Sequence, residues 1–373
     1  MSQAVPFFAL DREYAELREP MLDAIDRALA TGQLLQSPAV SELEDQIAAA
    51  TQRRHAVAVN SCTDAIFFAL AASGIGPGDE VLVPDYTFAA TAAGVLRTGA
   101  TPVLVDIDDE WGLDIDLAES AVTERTAAIV YVHLFGRMGD AERATAFADR
   151  HGLLLIEDAA QVFGAERAGR PAGSFGRASC LSFDPTKVIG ALGSGGAVLT
   201  DDDATAEAVR ALRYHGRVGR EFTRLGYNSQ LPTIAAAVLL VKLGALDGWL
   251  TRRREIAARY SEALSDAGAE PPDAGSGRDH IFHKYVVRTA ERDLLAEELR
   301  SRNIDTMIHY PYRIHELPFV QAAPHRVVEN GTAAAASKVV LSLPIHPQLR
   351  ADEIDRILEG VAAFADRAGV TAG

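Results

Sequence analysis

The chain has 373 residues and a mass of 39.9 kDa, more than one hydrophobic core usually holds, so a large domain with a smaller companion is expected. A net charge of −16 and a pI near 5.1 argue against nucleic acid or an anionic membrane as the main partner. Two cysteines, Cys62 and Cys180, are too few for a disulfide framework or a Cys-based metal site and read as small buried apolar residues in a reducing cytosol.

The N-terminus carries no basic stretch followed by an apolar core, and the longest apolar runs, Ala65 to Ala72 and Ile234 to Val241, fall far short of a membrane span. A cytoplasmic protein is therefore expected. An amphipathic helix is predicted from Glu19 to Ala30, ending at Thr31-Gly32, and a second to about Thr51, opened by a capping box at Ser41 and Glu44. His55 to Asn60 reads as a strand, followed by the polar turn Ser61-Cys62-Thr63-Asp64 and an apolar helix. That order presents free backbone N–H groups to an anion, or is ordinary capping by Thr63 or Asp64. The unit repeats in form: strands at Glu80–Pro84, Thr101–Asp106, Ala127–Val132 and Leu153–Ile156 alternate with helices at Ala89–Arg97 and Asp140–Arg150. Short apolar strands alternating with helices imply a mostly parallel sheet covered on both faces, with ligands at the carboxyl ends of its strands. That rim collects Ser61 to Asp64, Tyr86 to Phe88, His133 and Glu157 to Gln161.

Glu157 and Asp158 follow a fully apolar strand, where an acid needs a cationic partner or a metal, or else caps a helix; neighbouring positions offer no His/Cys cluster, so no metal is expected. The stretch SCLSFDPTKVIGALGSGG, Ser179 to Gly196, places Lys187 between a strand and a glycine-rich run. Lys187 is either a solvated loop lysine or an amine set up for Schiff-base chemistry. After a strand at Ala197–Thr200 and a capped helix, Arg210, Arg213, Arg217, Arg220 and Arg224 form a basic run. It reads as a solvated face or as an anion clamp in an acidic protein. A long helical region spans Thr233 to Ala267, and Pro271 to Gly277 is the candidate linker. A C-terminal α+β lobe follows, with strands at Ile281–Val287 and Leu341–Pro344, helices at Glu291–Ser301 and Ala351–Asp366, and His309, Tyr310 and His315 on a loop. The division is expected as 1–250 and 251–373.

Together the rim supplies a lysine, a buried acid, a backbone anion cradle, an aromatic and several hydroxyls. This is the set pyridoxal 5′-phosphate needs: the lysine for the covalent link, the acid for the pyridine nitrogen, the cradle for the phosphate and the aromatic for the ring face.

The motifs VAVNSCTDA, PDYTFAATAAGVLRTGATPVLVDID, VHLFG, IEDAAQVFGA, GSFG, SFDPTK with GSGGAVLTDD, LRYHG, GYNSQL, IHYPYRIH and LSLPIHP occur in order from about Leu34 to about Ile357. In these the sequence resembles the DegT/DnrJ/EryC1/StrS family of sugar aminotransferases. The resemblance implies a fold-type-I pyridoxal phosphate-dependent α/β transferase. Its large domain would hold a mostly parallel, seven-stranded sheet sandwiched by helices, with a smaller C-terminal α+β domain, in a cytoplasmic homodimer with shared active sites. It implies Lys187 as the Schiff-base lysine and proton shuttle, Asp158 on the pyridinium nitrogen, Gln161 on the ring hydroxyl and Phe88 stacked on the ring. Thr63, the Asp64 backbone and Ser182 would hold the phosphate. Asn228 would reach the cofactor of the other subunit, and His309 and Tyr310 would lie on the sugar side. The sequence departs from the family pattern at Asp184, where an aromatic is common, at Gln230, where arginine is usual, at Ala235, where glutamine often stands, and at Cys62, where glycine is frequent.

The resemblance implies amino transfer from glutamate or glutamine to a keto-sugar, in the amino-sugar chemistry of antibiotics or polysaccharides; from its charge alone, the arginine run, Arg217 and Arg220 in particular, suggests an anionic acceptor such as a nucleotide diphosphosugar. Alternatives within the family are cyclitol amination and formation of an aminated aromatic ring; lysine rather than histidine at position 187 speaks against deoxygenation. A non-catalytic pyridoxal phosphate-binding regulator is the rival from another class, and no DNA-binding segment is appended.

Overall fold

A computed structural model describes residues 4–265 and 267–369. The chain opens with α1 (Leu10–Ala30) and α2 (Pro38–Ala50), then β1 (His55–Val59), α3 (Cys62–Ala72), β2 (Glu80–Pro84), α4 (Ala90–Thr98) and β3 (Thr101–Val105). It continues through α5 (Ile115–Ala118), β4 (Thr126–Val132), α6 (Ala141–His151) and β5 (Leu154–Asp158). Next come the short hairpin β6 (Glu166–Arg167) and β7 (Arg170–Pro171), then β8 (Ala178–Ser182), β9 (Gly196–Thr200) and α7 (Asp203–Leu212). A second short hairpin, β10 (Arg217–Val218) and β11 (Glu221–Phe222), precedes α8 (Thr233–Leu243) and α9 (Leu246–Ser265). The last part holds β12 (Tyr285–Arg288), α10 (Arg292–Ser301), α11 (Pro318–Gln321), β13 (Arg326–Val328), α12 (Thr332–Val339), β14 (Val340–Leu343) and α13 (Ala351–Ala368).

The central sheet has eight strands in the order β1-β9-β8-β5-β4-β2-β3-β13. Its pairs from β8 to β13 are all parallel, and only β9 runs against its two neighbours. The expected seven strands are present, and the eighth, β13, comes from the C-terminal part of the chain. Alternation along each strand builds two cores: Ala56, Ala58, Leu82 and Ile129 face α2, α6 and α8, whereas Val57, Val59, Val81 and Val130 face α3, α4 and α7. A third core, from Ile256 to Phe364, joins α9, α10, α13, β12 and β14, and the N-terminal Val5 packs into it.

Several boundaries differ from the sequence reading. Helix α1 starts at Leu10 and carries Pro20 inside it, because Arg12 is held bidentately by Glu353 of α13, at 2.7 Å to each oxygen. The capping box at Ser41 and Glu44 does not form. Helix α2 starts at Pro38 after Ser37, and Glu44 instead accepts from the backbone N–H of Ala58 (2.8 Å). The long helical region breaks between α8 and α9, which bend by 60°. The segment Pro271–Gly277 joins two parts of the third core, since Ala267 and Ala269 on one side and Phe282 on the other all lie in it. It does not separate two cores. A boundary at 250/251 falls inside α9. Among the described residues no single helix is long and apolar enough to cross a membrane.

Candidate active site

The cofactor-sized opening lies at the carboxyl ends of the central strands. A cavity of about 350 Å³ is walled there by the N-terminus of α3, the ends of β5 and β8, the turn carrying Lys187 and residues of the C-terminal lobe.

On the sheet side, Ser61 caps α3 with its Oγ accepting from the Asp64 backbone N–H (3.1 Å). The N–H groups of Cys62 and Thr63 at the same helix start form part of its positive dipole end, and both residues line the cavity. Gly196 lets the opening strand of β9 pass against this helix start: a Cβ there would stand 2.6 Å from the Cys62 nitrogen and 2.6 Å from the Ser61 carbonyl carbon. Asp158 ends β5, where Oδ2 accepts from Thr91 Oγ1 (2.9 Å) and Oδ1 from the Ala160 N–H (3.2 Å). Burial pushes its carboxyl up; the Thr91 and Ala160 hydrogen bonds and the Lys187 charge oppose that. Gln161 accepts from the Phe135 N–H (2.8 Å) and reaches the Tyr310 hydroxyl (3.4 Å).

Lys187 sits on the turn after β8. Burial lowers its ammonium pKa, against the pull of Cys62, Asp158 and Asp184, and among the described residues its Nζ has no hydrogen-bond or ion-pair partner. The turn is fixed by Asp184, whose Oδ1 accepts from both the N–H (3.0 Å) and the hydroxyl (2.6 Å) of Thr186, while Asp184 N–H donates to Ser182 Oγ (3.3 Å). Gly190 lets the loop fold back on itself, since a Cβ there would meet the Pro185 carbonyl oxygen at 2.4 Å. The aspartate that departs from the family pattern is thus a turn residue that also adds negative charge beside the lysine.

The cavity brings together Thr63, Phe88, Asp158, Gln161, Ser182, Lys187, His309 and Tyr310. Phe88 is 51% exposed at its mouth. Tyr310 is pinned by Tyr86, whose hydroxyl accepts from the Tyr310 N–H (2.7 Å) and donates to its carbonyl (2.9 Å). His309 bonds Ser342 (2.8 Å), and burial brings its pKa down to about 3.

Other expected residues lie elsewhere. Asp64 does not line the cavity: its backbone N–H is used by Ser61, and its carboxylate holds Arg97 and Ser229 (2.6 Å each). Asn228 is exposed. Arg217 and Arg220 are exposed on and beside the β10–β11 hairpin and do not line the cavity, and Arg213 is taken by Glu44 and the Ala58 carbonyl. The basic run is therefore not one clamp within this chain. Glu157 and His133 also leave the rim. Glu157 points into the core, accepting from Ser179 Oγ (2.7 Å) and the N–H groups of Gly173 (2.8 Å) and Phe175 (2.9 Å), with His133 Nε2 at 3.0 Å. Gln230, buried, bonds Gln36.

Sequence reasoning did not pick out Thr91, Phe8, His283, Lys284 or Met307, all of which line the cavity. Lys284 left a trace, as one of only four lysines in the chain.

Comparison with known proteins agrees with this architecture. The chain is 41% identical over 368 residues to a Streptomyces venezuelae protein named dTDP-3-amino-3,4,6-trideoxy-alpha-D-glucose transaminase, covering 97% of each chain. It is 40% identical over 365 residues to a Geobacillus stearothermophilus "pleiotropic regulatory protein", covering 96% of this chain and 98% of that one. The crystal structure of S. venezuelae DesV in complex with a ketimine intermediate superposes with a TM-score of 0.93 at 40% identity, covering 98% of this chain and all of the other. The α/β architecture with its large central sheet is that of a fold-type-I transferase. With the DegT/DnrJ/EryC1/StrS aminotransferase description matching residues 15–362, the chain belongs to that family.

Proposed function

We propose that the protein is a pyridoxal phosphate-dependent aminotransferase that moves an amino group from glutamate or glutamine to the keto carbon of a nucleotide-linked sugar. The observation that carries this is the meeting of Lys187, Asp158 and the α3 N-terminus in one cavity. The residues present fit the cofactor. Asp158 is a buried carboxyl that a cationic ring nitrogen would satisfy, the Cys62 and Thr63 N–H groups and Ser182 Oγ offer donors to a phosphate, and Phe88 offers a ring face. The Asp64 backbone plays no part in that cradle, because its N–H is already used.

The cofactor, when bound, supplies the electron sink that lets the donor's Cα–H bond break. The chain's residues do the rest. Lys187 Nζ, held toward its neutral form by burial, would take the proton from the donor Cα and pass it to the cofactor, and with the acceptor would carry a proton the opposite way, to the carbon that gains the amine. Asp158 would hold the ring nitrogen through its carboxylate, whose orientation Thr91 fixes. Gln161 and Tyr310 hold one edge of the cavity in place.

The protein acts as a cytoplasmic homodimer in this reading. In support, Asn228 and the β10–β11 hairpin lie outside the chain's own cavity, and Val218, Phe222 and Leu225 there are 54%, 67% and 81% exposed. Arg217 and Arg220 then meet the sugar nucleotide only if the hairpin serves the neighbouring subunit.

The cofactor-loaded protein mixed with glutamate or glutamine, without acceptor, is expected to release one equivalent of the keto acid per site, and the Lys187→Ala variant none. Release by Lys187→Ala at the wild-type rate would sink the lysine assignment; absence of release from the wild type would favour a cofactor-binding regulator. A mass-spectrometric screen of nucleotide keto-sugars and inososes then selects the acceptor.

A further inference from the structure

Lys284 lies immediately before β12, on the wall of the cavity opposite the sheet rim, and its backbone is fixed by an N–H bond to the Phe135 carbonyl (2.9 Å). The residue is only 6% exposed. Among the described residues its Nζ has no ion pair and no hydrogen bond; its neighbours are ring faces, with Phe8 at 4.2 Å and Phe7 at 5.2 Å from Nζ to the centroid. Such a setting favours a cation weakly through the rings and leaves its counter-ion to be supplied. Burial, with the Lys187 charge next, holds the empty amine well below the ordinary lysine range. An arriving anion reverses that balance. The adjacent histidines add no competing charge, since burial keeps both His283 and His309 neutral.

The chemistry of the proposed reaction requires an anion at this depth. An amino donor carries its amine and its carboxylate on the same carbon, so when the amine reaches the Lys187 position the carboxylate is within the same small cavity. Two lysines and no arginine line that cavity. Lys187 is committed to the proton, and Arg217 and Arg220 stand outside.

We infer that Lys284 is the residue that receives the α-carboxylate of the amino donor. The inference rests on the aminotransfer reading and assigns the donor half of the substrate site.

The test uses cofactor-loaded wild type, Lys284→Gln and Lys284→Arg. α-Methyl-L-glutamate has no α-proton and binds without turnover, so its dissociation constant is read from the change in visible absorbance. Lys284→Gln is expected to weaken it at least tenfold and Lys284→Arg to recover most of the loss, while propylamine, which lacks the carboxylate, binds all three proteins within about twofold. Affinity for α-methyl-L-glutamate that is unchanged in Lys284→Gln, or lost in parallel with that for propylamine, overturns the assignment. So does a wild type that does not bind α-methyl-L-glutamate. A wild type that binds it with the expected Lys284 dependence but never releases keto acid from glutamate overturns the reaction and leaves the carboxylate anchor standing.

Discussion

At the scale of single residues, the site runs on groups held away from their ordinary protonation states. Lys187 has a lowered pKa because it is buried, and Asp184 is one of the charges that resist the lowering. Removing that charge lets the pKa fall further, so the neutral base persists to lower pH. Asp184→Asn, which keeps an oxygen for the Thr186 turn, is therefore expected to move the acid limb of kcat to lower pH with the fold intact. A pH–rate profile that stays put or moves up would show that Asp184 acts on the turn alone. How much of this was legible depended on whether a residue's role was local. Lys187, Asp158 and Gln161 sit at strand ends in distinctive motifs and could be placed from sequence. By strand pattern alone Glu157 could not be told from Asp158, because adjacent strand residues point to opposite faces and only the register decides which acid meets the cavity; the family resemblance is what singled out Asp158. Lys284 was missed for another reason: it reaches the site by tertiary packing from a different lobe, and nothing in its neighbours signals that.

At the scale of elements, the phosphate-sized donor site depends on how closely β9 runs past the start of α3. Gly196→Ala would drive a Cβ into backbone atoms of Ser61 and Cys62, neither of which can rotate away. The expected cost is about 1–3 kcal/mol of stability together with a clear loss of cofactor affinity, measured by thermal denaturation of the apoprotein and by cofactor titration. Stability lost with affinity retained would mean that the helix start is not the cradle. Strands β1 to β5 and helices α4 and α6 matched their sequence signals to within a residue or two, because each pairs a short apolar run with a local turn or cap; Asp140, for example, caps α6 by accepting from the Arg143 N–H (2.9 Å). Helix ends set by distant partners did not, as the Arg12–Glu353 pair shows for α1. Ser61 rather than Thr63 or Asp64 proved to be the cap of α3, a difference that frees the Thr63 N–H for a ligand.

At the scale of the whole molecule, the acidic chain encloses two of its four lysines, Lys187 and Lys284, in one cavity. The hairpin carrying Arg217 and Arg220 displays apolar side chains instead of covering them. The assembled protein is expected to sediment at twice the 39.9 kDa chain mass, and a Phe222→Asp, Leu225→Asp variant to sediment as single chains with most activity lost; a fully active monomer would remove the shared-site reading. The eighth strand has a separate consequence, for the order in which the molecule can be made. Strand β3, complete at Val105, gains its outer partner only when Arg326–Val328 arrives, more than two hundred residues later, and Val5 likewise waits for the third core. During synthesis the β3 edge stays open for most of the translation time, and such an edge invites pairing with other chains. The nascent protein is thus most exposed to aggregation in the interval between the emergence of Val105 and that of Arg326–Val328, which covers the edge in the finished enzyme.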